Sequence, residues 1–203
     1  MPATNSGCVE HRCGAALLII DAINNLEFEG GELLLEPALR MARDLARLKR
    51  QAKGRGIPCL YVNDNFGQWR SDFRRLVAAC TKRGVRGARV ARLLLPESDD
   101  YFVLKPRHSG FFNTPLDLLL QELGAKRLIL CGLTTDSCVL FTANDAYLRG
   151  FEVWVPSDGC AALAHTRHVD ALGQMRRTLH ADTRPSQQID LERLLHPAPD
   201  VKA

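Results

Sequence analysis

A three-layer α/β fold, with a doubly wound, mainly parallel sheet and helices on both faces, is predicted by three features of this 203-residue chain. Short apolar runs alternate with longer amphipathic segments, the pattern that βαβ units produce. The apolar runs are continuous and end in a polar residue, as strands buried on both faces do. No repeat, low-complexity stretch or linker interrupts the alternation. One domain is therefore expected over residues 15–196, between a flexible tail at 1–14 and another at 197–203.

The elements follow in order. "AALLIID" (15–21) reads as a buried strand. "EPALRMARDLARLKRQAKGRG" (36–56) reads as a helix, because Leu39, Ala42, Leu45, Ala46 and Leu48 share a stripe and glycine follows. "IPCLYVND" (57–64) is a second strand, and a helix is expected from Ser71 to Lys82, followed by a basic loop. "YFVLKP" (101–106) is a third strand, ended by Pro106. In "TPLDLLLQELG" (114–124), Thr114 suits a helix cap and Pro115 its first turn. "RLILCG" (127–132) is a fourth strand, residues 135–149 a helix closed by Gly150, and "FEVWVP" (151–156) a fifth strand. A helix over 165–180 and a last short strand and helix complete the domain.

Composition narrows the class. Hydrophobic residues make up 46% and charged residues 25%, enough for a core that needs neither disulfide nor metal to fold. "AALLII" is too short for a membrane span or signal core, and "MPATNSGCVEHRCG" lacks the basic-then-apolar order of an export signal, so a cytoplasmic protein is expected. Seven cysteines without tandem spacing then imply mostly free thiols. Cys8, His11 and Cys13 resemble half of a zinc site, without a second half. The net charge is +4, with cations concentrated in "RMARDLARLKRQAKGR" and "KRGVRGARVAR". The first reads as the solvated face of a helix. The second contains no stacking aromatic, so a rim attracting an anionic small molecule is a better reading than nucleic-acid contact.

In a parallel sheet, ligands bind beyond the carboxyl ends of the strands. Asp21, Asp64, Lys105 and Asp158 lie at four such ends, and "GLTTDSC" leads from the fourth strand to Cys138 at a helix start. Each alone has an ordinary explanation as cap, solvated cation or packed thiol. Together they supply what thiol catalysis needs. Helix N–H groups and a nearby ammonium favour the thiolate, and a carboxylate accepts and returns the proton. Cys131, inside the strand, reads as packing. No argument from spacing gives His108 a role.

Asp21, "KPRHSGFFNTPLDLLL" and "CGLTTDSCVLFTANDAYLRGFEVWVPSDG" together resemble the isochorismatase-like cysteine hydrolases, over roughly residues 15–180. The resemblance implies a catalytic triad of Asp21, Lys105 and Cys138, and an oxyanion hole from the backbone N–H groups of Thr134 and Cys138. It also implies a cis Leu133–Thr134 peptide and a homodimer or homotetramer. Metal-dependent nicotinamidases of the family carry Asp-x-His after the second strand. Here the stretch reads "NDNFGQW", with Asn65 at the next position, so neither metal nor other cofactor is expected. The resulting expectation is a hydrolase cleaving a C–N bond of a small amide, carbamoyl or ureido compound through a thioester. Phe28, Asp64, Phe66, Trp69 and Phe111 are the expected pocket residues, and no nucleic-acid or membrane partner is expected. An isochorismatase-type vinyl ether hydrolase, with Cys138 a bystander, and a catalytically idle binding protein are the alternatives.

Overall fold

The computed structural model describes residues 13–67 and 72–195. Cys8, His11, Trp69 and nearly all of both expected tails lie outside the described residues. Six strands form one sheet: β1 (Ala15–Ile20), β2 (Cys59–Asp64), β3 (Tyr101–Lys105), β4 (Arg127–Leu133), β5 (Glu152–Trp154) and β6 (Cys160–Ala161). Their order is β3-β2-β1-β4-β5, with β6 paired to β4, and every pairing is parallel. The chain builds one half of the sheet outward from β1 and then returns to its other side, so β1 and β4 flank the point where strand order reverses.

The strand β1 shows why both faces must be covered. Leu17 and Ile19 point to one core and Leu18 and Ile20 to the other, and all four are fully buried. The first core is closed by α1 (Gly31–Lys53), α2 (Phe73–Cys80), α3 (Ala88–Leu93) and α7 (Leu191–Leu195). The second is closed by α4 (Leu116–Leu123), α5 (Leu140–Leu148) and α6 (His165–Thr178). Among the described residues, no helix is long and apolar enough to cross a membrane.

Three local expectations are corrected. Helix α1 starts at Gly31, five residues before the expected Glu36, and Pro37 sits inside it rather than at its start. The driving force is Leu34, which is buried and extends the apolar stripe upstream of the proline. The basic loop after α2 contains α3, because Ala88, Val90 and Ala91 supply a buried face between the arginines. Two of those arginines are engaged: Arg86 meets Glu27 and Glu32 at 3.8 Å each, and Arg92 donates to the Thr81 carbonyl at 2.6 Å. The helix expected over 135–149 is interrupted near its start by a π-helical turn over Thr135–Val139.

Candidate active site

The sheet register brings the polar strand ends together. Asp64 and Lys105 are opposite residues at the ends of β2 and β3, and Ile20 pairs with both Val62 and Gly132. Asp21 follows Ile20 with φ +47°, a left-handed conformation that aspartate tolerates better than most residues. Its Oδ1 accepts from the Asp64 N–H at 2.6 Å, and its Oδ2 lies 2.8 Å from the Lys105 ammonium. Lys105 is completely buried and donates to the Arg107 carbonyl at 3.1 Å and to Cys138 Sγ at 3.4 Å. Its ammonium is also 3.7 Å from Asp64 Oδ2. Acid, ammonium and thiol thus form one cluster from three separate strand ends.

Cys138 reaches the cluster through an unusual connection. Gly132 has φ +127°, and a Cβ there would lie 1.9 Å from the Ile20 carbonyl oxygen, so only glycine lets β4 pass this close to β1. The Leu133–Thr134 peptide is cis. Residues Thr135–Val139 then form a π-helical turn, with Ser137 and Val139 N–H groups both donating to the Thr134 carbonyl, before α5 continues in α geometry. Two contacts tie this turn to α6: Thr135 Oγ1 and His168 Nδ1 are hydrogen-bonded at 2.8 Å, and Arg167 Nε lies 2.6 Å from Asp136 Oδ2. The second is an attraction between charges, since neither Asp136 oxygen meets hydrogen-bond geometry.

The electrostatics correct one expectation. Burial pushes the Cys138 thiol up to about 12, Asp21 adds to the rise, and Lys105 pulls it back only in part. Burial also raises Asp21, against the lowering by Lys105. Burial disfavours the Lys105 ammonium, but Asp21, Cys138 and Asp64 outweigh it and hold Lys105 above its ordinary value. Burial therefore keeps the Cys138 thiol protonated, while Lys105 is the strongest influence drawing Asp21 towards its carboxylate. A resting thiolate would place a second buried anion against Asp21. The chemistry suited to this arrangement is proton transfer from sulfur at the moment of attack.

The expected pocket residues divide. Asp64 joins the cluster and also accepts from the Phe66 N–H at 2.6 Å. Phe28 and Phe66 are 41% and 42% exposed, compatible with contact to a ligand. Phe111 is corrected: it is 4% exposed and packed in the second core, its ring 6.0 Å from Phe151 and 4.7 Å from the Arg149 guanidinium. Its backbone N–H donates to Ser109 Oγ at 3.1 Å, and that hydroxyl is in turn bonded to Asp145. Cys131 is fully buried, as read from the sequence, and six cysteines among the described residues are free. Among the described residues, no three His, Cys, Asp or Glu side chains converge to hold a metal ion.

His108 was missed. Its Nδ1 lies 3.8 Å from Cys138 Sγ and 3.5 Å from Ser137 Oγ. The only sequence signal was its place three residues after Lys105, too common a spacing to carry weight.

Comparison with known proteins gives one consistent result. The isochorismatase domain model matches residues 15–186. The uncharacterized isochorismatase family protein YaaI of Bacillus subtilis (strain 168) is 37% identical over 174 residues, covering 86% of this chain and 95% of that protein. The probable inactive nicotinamidase At3g16190 of Arabidopsis thaliana is 32% identical over 81% of this chain and 92% of its own length. Among solved structures, the N-carbamoylsarcosine amidase from Thermoplasma acidophilum superposes with a TM-score of 0.67 at 27% identity, over 87% of this chain and 98% of that one.

Proposed function

Because the chain belongs to the isochorismatase family of hydrolases, we propose that it is a cysteine amidohydrolase acting on a small amide, carbamoyl or ureido compound. The observation that carries this reading is the Lys105 ammonium, 2.8 Å from Asp21 and 3.4 Å from the Cys138 sulfur. A hydrolase that protonates a vinyl ether needs the acid but has no use for a thiol beside it. The likeness to an N-carbamoylsarcosine amidase supports the same substrate class.

In the proposed reaction Asp21 takes the Cys138 proton as sulfur attacks the substrate carbonyl, while Lys105 stabilises the negative charge passing through the cluster. The carbonyl oxygen becomes an oxyanion facing the N–H groups of Thr134 and Cys138, where fixed dipoles stabilise it without rearrangement. Asp21 returns the proton to the departing amine, the C–N bond breaks, and a thioester remains on Cys138. Water then releases the acid and restores the thiol. Asp21 suits both transfers because burial and Lys105 pull its proton affinity in opposite directions.

The test is a panel of small amides and ureides, read by ammonia release and by intact mass for an acyl adduct. Cys138→Ala should abolish both. Activity largely retained in Cys138→Ala would favour ether cleavage, and no ammonia and no adduct from the wild type would favour a catalytically idle protein.

A further inference from the structure

The π turn that carries Cys138 is held by α6 as well as by the sheet, through side chains that the proposed triad does not use. We propose that His168 is a positioning residue, which fixes the turn in its π register through Thr135 and so sets the direction of the Cys138 sulfur. This rests on the reading of Cys138 as nucleophile.

Thr135 is completely buried, and among the described residues the one hydrogen-bond partner of its hydroxyl is His168 Nδ1, at 2.8 Å. A hydroxyl both donates and accepts, so this bond forms with either neutral tautomer of the ring. Thr135 directly follows Thr134, whose carbonyl accepts from the Ser137 and Val139 N–H groups and closes the turn. Such turns are rare, because α geometry is the ordinary winding of a helix. An α turn over the same residues winds Thr135 to another bearing, and a buried hydroxyl that leaves its partner is left unsatisfied. The bond therefore favours the π register over the α one, the use of buried polar groups that is best attested. Cys138 belongs to the same turn, and in this register its sulfur reaches the Lys105 ammonium at 3.4 Å.

His168 is itself a fixed partner. It lies one helical turn before Ala171 and Leu172, whose side chains are buried in the second core. A hydrogen bond with the Ser157 backbone, between β5 and β6, holds the ring from another side. Arg167, beside it on α6, meets Asp136 at 2.6 Å, but its side chain is 60% exposed. That attraction is screened by solvent and is the weaker hold on the turn. Beyond the sulfur, the Cys138 carbonyl accepts from Thr142 Oγ1 at 2.6 Å, and the same oxygen accepts from the Gly110 N–H at 3.0 Å. The nucleophile is thus gripped on both sides along the chain, and His168 supplies the grip that comes from another helix.

The test uses p-nitrophenyl acetate with enzyme in excess, where nitrophenolate release reports attack by sulfur alone. His168→Asn keeps an amide close to the position of Nδ1, His168→Gln places it further out, and His168→Ala removes it. We expect the saturating rate to fall by roughly 10²-fold in His168→Ala, His168→Gln and Thr135→Val, with half-saturation within about threefold of wild type. His168→Asn should recover to within about tenfold of wild type. The double variant Thr135→Val/His168→Ala should be no slower than the slower single variant, since both remove one interaction. Rates are read on variants whose melts show folded protein at the assay temperature, and where His168→Ala is unfolded the Asn and Gln variants decide. Rates within about threefold of wild type in His168→Gln and Thr135→Val, equal rates in the Asn and Gln variants, or single losses that multiply in the double variant overturn the inference. Absence of acetyl-Cys138 from acid-quenched wild type instead overturns the nucleophile reading, so the two failures are distinguishable.

Discussion

Replacing Lys105 with methionine tests whether the cluster is a charged pair. The two side chains are essentially solvent-free and 2.8 Å apart, a Coulomb attraction of about 6 kcal/mol at an effective dielectric of 20. Much of that is cancelled by the cost of burying both ions, and the pair in total contributes little. Lys105→Met removes the attraction but leaves the Asp21 carboxylate buried and uncompensated, which costs about 3–5 kcal/mol at pH 7. The double variant Asp21→Asn/Lys105→Met removes both charges and should lie within about 1–2 kcal/mol of wild type. The assay is urea denaturation of wild type, both single variants and the double variant, in one buffer. Lys105 is the largest influence lowering the Asp21 proton affinity, so its removal raises that affinity further. A raised acid is stabilised where it is protonated, and the Lys105→Met deficit should therefore shrink as pH falls. The reasoning is refuted if Lys105→Met costs under about 1 kcal/mol, or if the double variant is as unstable as Lys105→Met alone.

Two further outcomes follow from the same geometry. The Cys138 thiol stands at about 12 in the fold against 9.0 in the unfolded chain, so its contribution is complete below pH 9 and lost as pH rises towards 12. Between those limits, stability of the wild type should fall more steeply than that of Cys138→Ala by about 1.4 kcal/mol per pH unit; parallel curves from denaturation at stepped pH would show that the thiol is not raised. Gly132→Ala places a Cβ 1.9 Å from the Ile20 carbonyl at φ +127°, which should cost at least about 3 kcal/mol. In a thermal melt that is a loss of roughly 6–12 °C, and a change within about 1 °C would mean that the two strands are not held this closely.

The fold was legible because parallel strands buried on both faces leave an unbroken apolar signature. The ends of β1, β2, β3 and β4 fall within a residue or two of where their polar terminators placed them, and that accuracy is what made Asp21, Asp64 and Lys105 visible. Sequence was a poorer guide where one local signal stood in for packing. The apolar stripe that begins at Leu39 suggested a helix from Glu36, yet the buried Leu34 carries α1 further upstream, past Pro37. The arginines of 82–92 suggested a loop because the three small apolar residues between them span too short a helix to show periodicity. Phe111 looked like a pocket aromatic by position, but its ring packs in the second core against Phe151. The charge state of Cys138 depends on burial and on a carboxylate far away in sequence, and no local pattern encodes either. The nearness of His108 to the thiol was hidden for the same reason, since the two are 30 residues apart.

The π turn at Thr135–Val139 fits one more residue into the start of a helix than an α turn holds. Successive helical residues are about 100° apart around the axis. A chain shorter by one residue here would form an ordinary α turn, keep α5 and the sheet, and carry its thiol to a different bearing, away from Lys105. The surplus residue therefore acts as an angular spacer. It separates the question of whether the domain folds from the question of where its nucleophile points, so relatives of identical architecture can differ in chemistry through a single insertion or deletion at this turn.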